Sequence, residues 1–172
     1  MAQRIFLIRH AEKPDAQSRG IAQDGSPDDR SLTVRGWQRA GALVARFADT
    51  KFLFASHSSS NRPRQTLEPL AERLNIQLNL AFGKGDEPRL AVAAKACDGA
   101  VVICWQHEYM SAVANAILGD STTAPQRWPE DRFDVTWVFD LDERTGVCRF
   151  AQQPQCLLAG DSSEIIGTAT QA

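Results

Sequence analysis

A chain of 172 residues is the length of one domain around one hydrophobic core, so a two-domain layout is not expected. Nineteen Lys and Arg against 21 Asp and Glu leave a net charge of −2, which offers no basic field for a nucleic-acid backbone or an anionic bilayer. Any bound anion must be caught by a local cluster of charge.

The apolar runs fall far short of the roughly 20 residues of a membrane helix. Residues 1–8 lack the apolar core and cleavage site of a secretory signal, so the expected location is cytoplasmic. Cys97, Cys104, Cys148 and Cys156 show no CxxC spacing and read as packed free thiols.

Ile5, Phe6, Leu7 and Ile8 form the first expected strand, an apolar run of the kind buried on both faces. Residues 12–31 hold Pro14, Gly20, Gly25 and Pro27 and predict a long loop that walls a site. Thr33 caps a helix whose apolar stripe is Val34, Trp37, Gly41, Val44 and Ala48. Phe52 to Ala55 predict a second strand, and after a Ser-rich turn Leu67, Leu70, Ala71 and Leu74 mark a helix. Pro63 suits its first turn, whereas Pro69 should kink its axis.

Ile76, Leu78 and Leu80 alternate like a strand, and residues 81–88 form a loop before another helix. Residues 100–105 give the strongest strand signal, followed by a helix through Met110, Val113, Ala114 and Ile117. A loop over residues 119–132 leads to two strands, 135–139 and 147–151, whose short connection predicts an antiparallel hairpin. Trp37, Phe47, Trp137 and Phe139 fall at core periodicities. Residues 1–158 are expected to form the domain and residues 159–172 a frayed tail. The alternation predicts an α/β fold, a three-layer α/β/α sandwich with a mostly parallel central sheet and ligands at the carboxyl ends of its strands.

The chain's three histidines each follow a predicted strand, at His10, His57 and His107, and Arg9 and Arg62 join them. Imidazoles and guanidiniums on one rim describe a pocket for a compact dianion, and the expected occupant is a phosphoryl group. The spacings of 47 and 50 residues resemble no compact metal-ligand pair, and two arginines would repel a cation, so no metal or other cofactor is expected.

Ile5 through Glu12, with Arg9, His10 and Ala11, resembles the RHG or RHA signature of the histidine phosphatase, or phosphoglycerate mutase-like, superfamily. Leu32 through Ala40 is similar to its LTxxGxxQA element, and Ser58, Arg62, Gln65 and Thr66 to its SxxxRxxQT element. His107, after a late apolar strand, is similar to its second histidine. The resemblance implies that His10 attacks phosphorus to form a phosphohistidine, with Arg9, Arg62 and His107 on the phosphoryl oxygens.

It also implies a carboxylic acid that protonates the leaving group. Glu87 stands about where the mutase branch carries its acid, and Glu108 follows His107 where the acid phosphatase branch carries one; Glu87 is preferred. Ser58, Glu12, Glu108 and His57 are the substrate-binding candidates. Glu12 is weighed against a plain loop carboxylate, and His57 against a surface turn. Lys84, Arg89 and Trp128 lie in loops that border the leaving-group side or an ordinary surface. The resulting expectation is a metal-independent phosphomonoesterase acting on a phosphorylated small molecule or phosphoprotein. The alternatives are a phosphohistidine-protein phosphatase, a cofactor-dependent phosphomutase and a catalytically inactive phospho-ligand-binding protein.

Overall fold

The first apolar run becomes strand β1, Ala2–Arg9, in a computed structural model that describes residues 2–142 and 144–167. Helix α1 (Val34–Arg46), β2 (Phe52–Ala55), α2 (Arg62–Leu74), β3 (Leu78–Asn79), α3 (Glu87–Lys95) and β4 (Val101–Trp105) follow. A single 3-10 turn, His107–Tyr109, leads into α4 (Met110–Leu118), and β5 (Val135–Asp142) and β6 (Cys148–Pro154) close the sheet.

The six strands lie in the order β3-β2-β4-β1-β5-β6. Strands β3, β2, β4 and β1 are mutually parallel, while β5 runs antiparallel to both β1 and β6. The expected α/β sandwich and hairpin are therefore present. Strand β4 is buried at every position because both of its faces are covered, which is why its sequence runs apolar without alternation.

On one face Ile5, Leu7, Ile103 and Trp105 pack with Leu90 and Ala94 of α3 and Val113 and Ile117 of α4. On the other, Ile8, Leu53, Val102 and Cys104 pack with Leu43 of α1 and with Leu67 and Leu70 of α2. Phe47, Trp137 and Phe139 are core as expected, and Trp37 is half-buried with its indole N–H donating to the Ile21 carbonyl. All four cysteines are free. Among the described residues no helix is long and apolar enough to cross a membrane.

Helix α1 corrects its predicted stripe. Thr33 caps it, accepting from the Gly36 N–H, but the buried face is Gly36, Arg39, Ala40 and Leu43, one residue round from the predicted one, and Val34 is exposed. An apolar count places an arginine outward, whereas Arg39 is buried here because its charge is fully paired. Gly36 belongs to the contact too, since a Cβ there would stand 2.7 Å from the Glu12 carbonyl oxygen. Pro69 sits inside α2 without ending it.

The tail expectation is also corrected. Asp161 ion-pairs with Arg39, and Ile166 joins the core, so residues 159–167 are held against the domain. Residues 168–172 lie outside the described residues.

Candidate active site

Because β1, β4 and β2 are parallel neighbours, the residues that follow them, His10, His107 and His57, emerge on one rim. A cleft of about 420 Å³ opens there, lined by His10 and Lys13, by His57 through Ser60 with Arg62, by Lys84, and by Gln106 through Tyr109. A larger groove, of about 640 Å³, runs along the β3 edge and contains no histidine or charged side chain.

The His10 ring is 4% exposed, and its Nδ1 lies 2.7 Å from the Ala11 carbonyl oxygen. A carbonyl only accepts, so Nδ1 carries the proton and Nε2 keeps the lone pair. Burial, with the charges of Arg9, Arg62 and His107, pushes the His10 pKa down to about 3 although the Ala11 bond opposes it. The ring is thus neutral at physiological pH, with a free lone pair on Nε2.

Arg9 is 1% exposed, its guanidinium stacked 3.9 Å from the centroid of Phe133. Its Nη1 donates to the carbonyls of Pro129, Glu130 and Arg132. Its Nε and Nη2 are buried with no partner among the described residues, as is Nε of Arg62. Burial lowers the Arg9 pKa to about 10, which leaves it a cation at neutral pH, and shifts that of Arg62 downward. Unpaired buried N–H groups on a cation are unfavourable unless an acceptor arrives, and a phosphoryl group supplies acceptors in the right number.

His107 Nδ1 lies 3.2 Å from Glu108. Burial and Arg9 lower the His107 pKa while Glu108 raises it. Arg62 is held by the Asp29 carbonyl, at 3.0 Å from Nη1.

The structure separates the remaining candidates. Glu108 lines the cleft and is more than half exposed. Glu87 does not line it; its carboxylate accepts from the Gly85 N–H and the Trp105 indole, beneath the loop that carries Lys84. Glu12 turns away to Arg35 and Arg39 and does not line the cleft, which fits a loop carboxylate better than a substrate contact. Ser58 lines the cleft, with its hydroxyl engaged by the Ser60 backbone, and does not orient Arg62. His57 lines the mouth and is exposed. Of the loop residues, Lys84 borders the cleft, Arg89 pairs with Asp86 on the surface, and Trp128 is buried against Trp137. The loop over residues 12–31 contributes Lys13 and the Asp29 carbonyl, less than the wall expected of it.

Phe133 and the carbonyls of Pro129 to Arg132 carry no sequence signal, since they lie in an aperiodic loop and act through backbone or a ring face. The motif residues Gln65 and Thr66 act as braces: Gln65 accepts from the Leu32 N–H and Thr66 from the Ala11 N–H.

The neutral state of His10 gives a stability prediction. Between about pH 6.5 and pH 3 the unfolded chain binds a proton at His10 that the fold refuses, so acidification destabilises the fold. From pH 7 to 4.5 the wild-type unfolding free energy in urea should fall by on the order of 2 to 3 kcal/mol more than that of His10→Gln. Equal losses in the two proteins would show that His10 is not held neutral.

A family model described as histidine phosphatase superfamily (branch 1) matches residues 5–82. A search of curated protein sequences found no match. Among solved structures, the chain is similar to the protein histidine phosphatase SixA in complex with tungstate, with TM-score 0.59 and 17% identity over 90% of this chain and 98% of that one. It is similar to a phosphoserine phosphatase from Entamoeba histolytica in complex with 3-phosphoglyceric acid, with TM-score 0.59 and 12% identity over 87% and 95%. A mycobacterial glucosyl-3-phosphoglycerate phosphatase gives TM-score 0.56 and 15% identity over 90% and 98%. The matched segment carries Arg9, His10, Arg62 and the braces around them, and the sheet brings His107 to the same rim, so the chain is similar to the histidine phosphatase superfamily in that segment and in its fold.

Proposed function

We propose that this phosphatase hydrolyses phosphomonoesters without a metal ion, through a phosphohistidine formed on Nε2 of His10. One observation carries the reading: a buried neutral imidazole, its tautomer fixed by the Ala11 carbonyl, stands beside two guanidiniums with unpartnered buried N–H groups. Nε2 attacks phosphorus as the bond to the leaving oxygen breaks, and water then attacks the phosphohistidine to release inorganic phosphate. Arg9, Arg62 and His107 stabilise the charge on the non-bridging oxygens. A bound dianion raises the His107 pKa and so favours its cationic, donating form.

Glu108, on the cleft wall, is the group we assign to protonate the leaving oxygen, in place of Glu87. Glu108→Gln should slow hydrolysis of an alkyl phosphate by about 10²-fold or more, and that of an aryl phosphate far less, because a phenolate leaves without help. Glu87→Gln should chiefly lower the melting temperature. The opposite pattern would return the role to Glu87.

The exposed rim residues His57 and Glu108 favour a second reading, a phosphohistidine-protein phosphatase, since a protein-borne phosphoryl group can reach an open cleft. Four free cysteines support a reducing, cytoplasmic compartment. The deciding experiment is a rapid acid-free quench of the chelated protein with radiolabelled aryl phosphate. An alkali-stable, acid-labile label on His10 supports the mechanism. Tungstate binding with neither label nor turnover, on aryl phosphate and on phosphohistidine protein alike, would make the chain a phospho-ligand-binding protein.

A further inference from the structure

We propose that residues 155–167 form a strap whose Asp161 is a positioning residue for His10, acting through Arg39 and Glu12. The inference rests on His10 being the nucleophile. Asp161 is 3% exposed at its side chain. Its carboxylate accepts from Nη1 and Nη2 of Arg39, at 3.0 and 2.7 Å, and from the backbone N–H groups of Leu157 and Leu158. Arg39 in turn donates Nε and Nη2 to Glu12, at 3.1 and 2.8 Å, and Nη1 to Gln155.

Glu12 shares a peptide unit with Ala11, whose carbonyl fixes the His10 tautomer. Holding the Glu12 side chain therefore holds the plane of the acceptor that decides which imidazole nitrogen is nucleophilic. The neighbouring strap residues reach Arg9. Ser162 donates its backbone N–H to Asp134, which also accepts from Nε of Arg132, and the Arg132 guanidinium donates to the Glu164 carbonyl. The Arg132 carbonyl is one of the three that hold Arg9. Two adjacent strap residues thus brace the two adjacent residues at the end of β1.

The sequence pattern agrees. In the element LTxxGxxQA, aligned on Leu32, Thr33, Gly36 and Ala40, the glutamine position is Arg39 in this chain, and Gln38 falls one place early. A glutamine carries no charge to offset two carboxylates. Arg39 does, and both carboxylates are present, one of them on the strap.

The test compares Asp161→Asn with wild type and with Val138→Ala, a core substitution outside the network chosen to destabilise without touching it. Imidazole-nitrogen NMR reads the His10 tautomer without any substrate. Wild type should show protonated Nδ1 alone, Asp161→Asn a mixture of tautomers, and Val138→Ala the wild-type signal despite its lower melting temperature. Turnover of an aryl phosphate should fall about 10²-fold in Asp161→Asn with KM little changed, as expected when a reacting group is displaced.

If Asp161→Asn does not fold, the doubly neutral Arg39→Gln/Asp161→Asn protein, which leaves Glu12 with Arg35, gives the same readouts. An unchanged tautomer in the folded variant, or an equal change in Val138→Ala, overturns the proposal. A wild-type chain without turnover would instead sink the phosphohistidine mechanism, and the NMR comparison would still decide the positioning role.

Discussion

Replacing His10 by alanine should reduce chelator-resistant hydrolysis of an aryl phosphate by on the order of 10⁴-fold or more, since the covalent route disappears with the nucleophile. Tungstate binding should survive, because the donors on Arg9, Arg62 and His107 remain in place. Isothermal titration with tungstate beside the turnover assay separates the two effects. Retained turnover in the folded variant would mean that phosphoryl transfer does not pass through this imidazole. Because burial and the surrounding cations hold the His10 pKa near 3, the wild-type rate should not lose its nucleophile to protonation until the pH approaches that value. Any acid limb above about pH 5 belongs to the substrate or to other groups.

Arg9→Lys should show the converse pattern, with both turnover and tungstate binding impaired. The guanidinium does what an ammonium cannot: with its carbon 3.9 Å over the Phe133 ring, it points Nη1 at three carbonyls while Nε and Nη2 stay free for a ligand. A lysine keeps the charge but either fills the carbonyl nest or faces the ligand. The expected loss is about 10²- to 10³-fold in kcat/KM. A lysine variant within a factor of a few of wild type would show that net charge suffices and that the fork geometry is idle. Comparing it with His10→Ala matters because only one of the two should lose the anion.

Strand β4 announced itself because a strand covered on both faces has no polar partner position, and the placement of three histidines after strands followed from the same reading. The helix stripe of α1 failed for an opposite reason. Apolar periodicity treats Arg39 as a surface residue, and its burial depends on Asp161, 122 positions away, which no local window contains. Glu87 and Glu108 are both candidate acids by the family resemblance. Their positions separate only where the backbone turns one carboxylate toward Gly85 and Trp105 and leaves the other on the cleft wall.

The sequence by itself determined the layering of the fold and the gathering of His10, His57 and His107 after parallel strands, because apolar period and the residues at strand ends are local properties. Tertiary structure decided the rest: the His10 tautomer through the Ala11 carbonyl, the carbonyl nest and aromatic face that set Arg9, and the docking of residues 155–167. Each of these is a hydrogen bond or contact made by backbone atoms or ring faces brought together by packing, and such groups have no residue-type signature to read in advance.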